Sequence, residues 1–358
     1  MFVSAPYMEW AKARAHAAWD LANSNLLGCT LDDLPEAGEA LELGGSNDEG
    51  YVPLVEAIAR RYGVTADRLS LATGASGANF LVCAALVGPD DEVLVERPGY
   101  DPLIAAARMA GAAVTRFERR FENRYALDAA EVRAALTPRT RLIIVTNSHN
   151  PSGVLAPPDD LEAIGRVAEA AGAHVLVDEV YLEASLRHDV VPAAARSEVF
   201  VSTNSLTKAY GLSGLRCGWV LASPAVARRV RRTRDVVDGT GVFPAEKMGA
   251  VAFAHLDRLA LRARKILEQN GAAVRALLDG RREIEWVPPA GGSVAFPRLR
   301  GVEDAGPFVD RLLSAHQTAV VPGRFFEAPV HFRIAFGGKP ETVAGGLARI
   351  ARALAAIT

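Results

Sequence analysis

Between residues 69 and 222, short apolar runs alternate with longer stretches of helical periodicity. The apolar runs predict strands at Leu69–Ala72, Glu92–Val95, Ala113–Arg116, Arg141–Thr146, His174–Asp178, Glu198–Ser202 and Gly218–Ala222. Helical patterns fall between most of them, for example 76–87, 128–136 and 159–171. Leu142-Ile143-Ile144-Val145 and Val175-Leu176-Val177 are apolar at every position, as strands sandwiched between two helix layers must be. The pattern predicts a large, doubly wound α/β domain with a mostly parallel seven-stranded sheet over residues 41–245. After Pro244 a helical pattern runs to about Arg282, then a Pro/Gly turn and mixed short elements follow. Residues 246–358 are therefore expected to form a smaller α+β domain, entered through a linking helix over about 245–282, with residues 1–40 packing on it.

Composition narrows the function. The chain has 358 residues and a formal net charge of −2, with no basic tail, so nothing favours nucleic acid. Its most apolar run, Phe80 to Val87, is far short of the ~20 residues that cross a bilayer. Cys29, Cys83 and Cys217 are widely spaced, which suits reduced thiols in the cytoplasm and offers no metal site. There are five lysines, Lys12, Lys208, Lys247, Lys265 and Lys339, so each can be weighed singly.

The unusual polar residues fall at predicted strand ends, where open α/β sheets bind ligands. Thr73-Gly74-Ala75-Ser76-Gly77 opens a helix and would suit an anion, although a tight turn uses the same small residues. Asn147-Ser148-His149-Asn150-Pro151-Ser152-Gly153 follows the fourth strand and reads equally as an Asx turn. Asp178 and Glu179 end the apolar fifth strand, with Tyr181 just beyond. A carboxylate emerging there needs a proton-bearing partner or hydrogen bonds. The loop Thr203 to Trp219 holds one lysine, Lys208, close to Ser205 and Thr207, with Arg216 eight residues on; these could hold a phosphate beside a nucleophilic amine.

Ser205-Leu206-Thr207-Lys208 followed by Gly211-Leu212-Ser213-Gly214-Leu215-Arg216-Cys217-Gly218 resembles the lysine signature of class I/II aminotransferases, pyridoxal-phosphate enzymes of the aspartate-aminotransferase fold. Arg97-Pro98-Gly99-Tyr100, His149 to Gly153, Val177 to Tyr181 and His331-Phe332-Arg333-Ile334 resemble four further motifs of that family, in its order. The resemblance implies a pyridoxal 5′-phosphate cofactor in Schiff-base linkage to Lys208, which then moves a proton between carbons. It implies that Asp178 pairs with the ring nitrogen, and that Tyr181 and Asn150 bond the ring 3′-oxygen. Tyr100 and Val180 would cover the ring faces, and Ala75, Ser76, Ser205, Thr207 and Arg216 would hold the phosphate. Arg333, with Asn150 beside it, would take the substrate α-carboxylate. The expected activity is transfer of an amino group from an L-amino acid to a 2-oxo acid by a homodimer. A lyase, decarboxylase, racemase, cyclase or oxidase on the same scaffold is the alternative.

The sequence departs from the family in two places. A tyrosine that many members send to the neighbouring subunit's phosphate is replaced near Gly45, leaving Asn47 or Tyr51 to substitute. The chain is also shorter than is usual for that family, which leaves the N-terminal substrate cover open; Trp10, Trp19 and Cys29 could line it, but core packing is the expected role of each. Where dicarboxylate-specific relatives carry an arginine, counting back from Pro244 reaches Val237 or Asp238, which predicts a neutral or cationic substrate side chain; a slip in register would bring in Arg234.

Overall fold

The computed structural model describes residues 2–14, 16–185 and 191–356. Seven strands form the central sheet: β1 (Leu69–Thr73), β2 (Glu92–Arg97), β3 (Ala113–Glu118), β4 (Thr140–Thr146), β5 (His174–Asp178), β6 (Phe200–Ser205) and β7 (Cys217–Leu221). Their order is β1-β7-β6-β5-β4-β2-β3. Only β7 runs against the rest, pairing antiparallel with both β1 and β6. The residues of β4 from Leu142 to Val145 are fully buried, because helices cover both faces of the sheet in two apolar layers. β3, at the edge, is the least buried of the seven, and its polar Thr115 and Arg116 fit that position.

This topology gathers the chemistry. The C-terminal ends of β1, β2, β4, β5 and β6 share one edge of the sheet, and reversal of β7 brings its N-terminal neighbour Arg216 to the same edge. Register completes the alignment: Thr73 lies opposite Cys217, Thr146 opposite Asp178, and Asp178 opposite Thr203.

The C-terminal part builds a three-stranded sheet from Val294–Ala295, Phe332–Ala335 and Val321–Pro322, backed by helices Gly306–His316 and Pro340–Ala355 around a separate apolar cluster. The single helical pattern expected after Pro244 is two helices, Phe243–Ala254 and Leu256–Leu278, because His255 leaves helical backbone at φ −122°, ψ 19°. From the N-terminal segment, Trp19–Asp20 pairs in parallel with Thr318–Ala319. Helix Pro6–Ala13 instead lies against helix Asp101–Met109 of the large sheet region, anchored by Tyr7 N–H donating to Asp101 Oδ2 at 3.0 Å. Among the described residues, no helix is long and apolar enough to cross a membrane.

Candidate active site

A cavity of about 580 Å³ opens at the shared strand edge, between the large sheet and the N-terminal segment. Asp178 lies at its base, 4% exposed. Its Oδ2 accepts from Asn79 Nδ2 at 2.8 Å and its Oδ1 from the Val180 amide at 3.1 Å. Thr203 Oγ1 donates to Asn79 Oδ1 at 2.6 Å and so fixes which end of that amide faces the carboxylate. Burial pushes the Asp178 carboxyl above its usual value, against the pull of Asn79, the Val180 amide and Lys208. Both direct hydrogen-bond donors are neutral, so the charge is left for a cation placed above it.

Lys208 enters from the loop after β6. Its Nζ donates to Ser24 Oγ at 3.0 Å and Asn25 Oδ1 at 2.7 Å, and lies 5.7 Å from the centre of the Tyr181 ring. Burial lowers its pKa to about 8, with Arg333 and Arg216 pushing the same way and Tyr7 and Asp178 opposing. That brings an unprotonated amine within reach near neutral pH. Tyr181 Oη donates to the same Ser24 oxygen at 2.8 Å.

At one end of the cavity the chain forms an anion cup. Gly74 turns from β1 into helix Gly74–Leu86 at φ +70°, and a Cβ there would stand 2.3 Å from Arg216 Nη2. Only glycine lets the guanidinium lie on this backbone. Ala75 and Ser76 supply the helix N-terminus, and Ser205, Thr207 and Arg216 line the same cavity. The chemistry of this donor set, hydroxyls, helix amides and an arginine beside a buried carboxylate and a lysine, fits pyridoxal phosphate: the cup would hold its phosphate, Asp178 would pair with its ring nitrogen and Lys208 would carry it.

Behind the wall formed by Tyr7, Ala22 and Asn150 lies Arg333, fully buried on its strand. Nη1 donates to Asn150 Oδ1 at 2.9 Å, while Nη2 donates to Tyr7 Oη at 2.9 Å and Ala22 O at 3.1 Å. Its Nε has no protein partner. Tyr100 and Val180 also line the cavity, and Tyr100 meets Tyr7 edge-on at 5.6 Å. His149, from the same motif as Asn150, is structural. Its Nε2 donates to Pro98 O at 2.9 Å and its Nδ1 accepts from Ser152 Oγ at 2.7 Å, and burial keeps it neutral.

Several expectations need correction. Trp10 is not core: it lines the cavity with Tyr7 on helix Pro6–Ala13, which covers the site. Trp19 and Cys29 do pack against the apolar clusters as expected, Trp19 also under Arg349 at 4.1 Å and Cys29 Sγ donating to Tyr210 O. Asn47 cannot stand in for the missing tyrosine, because Nδ2 bonds Gly241 O and Glu246 Oε2 of its own chain. Asp238 accepts from Thr73 Oγ1 at 3.3 Å and is not among the lining residues. Arg234 is buried against Glu246 at 2.8 Å, so neither register puts a free arginine there. Tyr7, Ser24, Asn25, Asn79 and Thr203 were passed over in the sequence, since ordinary residue types outside a motif carry no signal of what they will touch.

Comparison with known proteins decides the family. The profile of class I and II aminotransferases matches residues 22–350. The chain belongs to that family. Class I and II aminotransferases are pyridoxal-phosphate enzymes, and this chain is one. It is 32% identical to capreomycidine synthase of Streptomyces vinaceus, over 98% of this chain and 94% of that one. It is 29% identical to an arginine–pyruvate transaminase of Pseudomonas aeruginosa, over 76% of this chain and 70% of that one. Among solved structures, a pyridoxal-phosphate-dependent aminotransferase from Streptococcus suis superposes at TM-score 0.92 with 28% identity, covering 100% of this chain and 99% of that one. A pyridoxal-phosphate-dependent cyclase superposes at 0.88 with 27% identity, covering 100% and 98%.

Proposed function

We propose that the protein is an aminotransferase that moves the amino group of an L-amino acid to a 2-oxo acid. The observation that carries this reading is that Lys208 shares its cavity with Asn150 and Tyr7, the two side chains that brace the fully buried Arg333 guanidinium just behind the wall. A guanidinium holding the α-carboxylate stabilises it as an anion and so opposes its departure as carbon dioxide. Bound cofactor supplies the electron sink, with Asp178 keeping its ring nitrogen charged. Lys208, with its lowered pKa, would accept the substrate α-proton and hold it for return, the role that separates amino transfer from racemisation. Tyr181 and Asn150 would hold the ring oxygen, Tyr100 and Val180 the ring faces, and Ala75, Ser76, Ser205, Thr207 and Arg216 the phosphate.

A second reading is an amino-acid cyclase, favoured by the likeness to capreomycidine synthase over nearly the whole chain and by the cyclase structure. One experiment separates them. Loaded enzyme is mixed with alanine, aspartate, arginine and β-hydroxylated amino acids, with no oxo acid present. Amino transfer gives one equivalent of 2-oxo acid and leaves the cofactor in its amine form. Cyclisation turns over repeatedly and its product keeps the nitrogen.

The active unit is a homodimer. Leu41, Leu43, Val52, Val236, Val237 and Val242 are all more than half exposed on two neighbouring segments, linked where Asn47 bonds Gly241 and Lys247 pairs with Glu42. An apolar patch of that kind is suited to a second copy of the chain. Sedimentation showing an active monomer would remove the claim. Unpaired Cys29, Cys83 and Cys217 support a reducing, cytoplasmic setting.

A further inference from the structure

The turn Asn23-Ser24-Asn25 belongs to no family motif quoted above, yet it reaches the reactive lysine. Ser24 is 4% exposed, and its oxygen accepts from both Lys208 Nζ and Tyr181 Oη. Asn25 Oδ1 accepts from the same Nζ. The turn is held rigidly: Asn25 N–H donates to Asn23 Oδ1, Leu27 N–H to Gly337 O, Ala335 N–H to Leu21 O, and Arg333 to Ala22 O. The segment is therefore tied to the strand that carries Arg333 rather than hanging over the cavity.

Valence gives these contacts meaning. A lysine nitrogen double-bonded to carbon carries at most one hydrogen, and so cannot donate to two oxygens at once. A free amine or ammonium has two or three. The Ser24 and Asn25 contacts can coexist only while Lys208 is unlinked, the state in which it must carry a proton between two carbons.

We infer that Ser24 and Asn25 form a dock for the released Lys208 amine, holding it on the cavity wall and aiming it back at the reacting carbons. The inference rests on the cofactor reading of Lys208. Asn25 acts through Lys208 and is a positioning residue; Ser24 couples the lysine to Tyr181 as well. The charged and titratable groups that face the amine are Asp178, Tyr7, Arg333 and Arg216, with Tyr181 beside it. The dock adds two neutral acceptors, which favour the ammonium form.

The test uses full-length protein, both loaded and stripped of cofactor. In stripped protein, the pH dependence of Lys208 acetylation by acetic anhydride is read by peptide mapping. Wild type should show a midpoint near 8. Asn25→Ala and Ser24→Ala should each lower it by about one pH unit, since a hydrogen bond to a charged group is lost. Asn25→Asp should raise it, because an anion replaces a neutral acceptor. Opposite shifts at one position are not what a general loosening of the fold produces. Borohydride reduction of each loaded variant, followed by mapping, reports the linkage separately. Midpoints that stay at the wild-type value while borohydride still marks Lys208 overturn the dock alone. Failure of borohydride to mark Lys208 in wild type overturns the cofactor reading and the dock with it.

Discussion

Asn79 Nδ2 donates to Asp178 Oδ2 at 2.8 Å, so the carboxylate at the base of the cavity is oriented by a neutral amide from the helix that opens the anion cup. A neutral donor steadies the anion without cancelling its charge, which remains for the ring nitrogen. Asn79→Leu should leave the cofactor linked through Lys208 but slow α-proton exchange about tenfold to a hundredfold, the range for one hydrogen bond to a charged group. Thr203→Val should act in the same direction and less, since Thr203 acts only through Asn79. Asp178→Ala should go further and abolish most exchange. Exchange by isotope uptake from water is the measurement, and an unchanged rate in Asn79→Leu would remove the role.

Glu179, next to Asp178, faces away and behaves differently. It is 1% exposed, its Oε1 accepts from the Ala193 amide at 2.9 Å, and its Oε2 has no partner. Burial pushes its pKa up to about 8. A folded value raised above the unfolded one means that the folded state keeps a proton the unfolded chain has lost. Its contribution is thus full below about pH 4.5 and drains away as pH rises to about 8, by up to about 1.4 kcal/mol per pH unit. Glu179→Gln is neutral throughout, so its melting temperature should gain on wild type steadily from pH 5 to 8. Parallel curves would mean that Glu179 ionises normally.

How much of this could be read from sequence depended on the range of the interactions. β4 and β5 announce themselves through unbroken apolar runs, because burial on both faces is a local property of the strand. Lys208 and Arg216 stand in a loop whose composition is unusual in itself, and Asp178 is a carboxylate at the end of an otherwise apolar strand. Tyr7 and Ser24 reach the site across 326 and 184 residues of separation from Arg333 and Lys208, and nothing local marks them. Asp238 and Arg234 were ambiguous for the same reason: their partners, Thr73 and Glu246, lie on other elements. The break at His255 also went unseen, since the apolar periodicity continues through it.

Gly74→Ala tests the cup directly. The new methyl would meet Arg216 Nη2, and φ +70° is strained for alanine by about 1 kcal/mol. The guanidinium is the far end of a flexible side chain, so it should move and the fold survive. Cofactor affinity, measured by equilibrium dialysis against pyridoxal phosphate, should fall at least about tenfold while the melting temperature of stripped protein drops only slightly. Wild-type affinity in the variant would show that Arg216 does not hold the phosphate.

Arg333 offers a comparison within the substrate. Wild type should prefer whichever L-amino acid it converts over the corresponding decarboxylated amine, which lacks only the α-carboxylate, by about a hundredfold or more in kcat/KM. Arg333→Gln should lose most of that preference while its rate with the amine changes little. Tyr7→Phe removes one brace from Nη2 and should reduce the preference several-fold. If Arg333→Gln keeps the full preference, the α-carboxylate is bound elsewhere.

The pairing of Arg234 with Glu246 makes a prediction about what does not reach the substrate. Their side chains are 6% and 9% exposed and meet at 2.8 Å, while Glu246 Oε2 also accepts from Asn47 Nδ2 and the Tyr51 amide. Glu246 thus ties together three separate segments, and Arg234 compensates its charge. Glu246→Ala leaves a buried guanidinium with only the longer contact to Asp238 at 3.8 Å and should cost up to about 3 kcal/mol. Arg234→Met with Glu246→Met should cost less than the two single changes summed, because neither charge is stranded. If the pair is only a staple between segments, aspartate and alanine should keep the same ratio of KM values in the double variant as in wild type. A selective rise in KM for aspartate would show instead that Arg234 contributes to binding a second carboxylate, and that its ion pair with Glu246 opens during turnover.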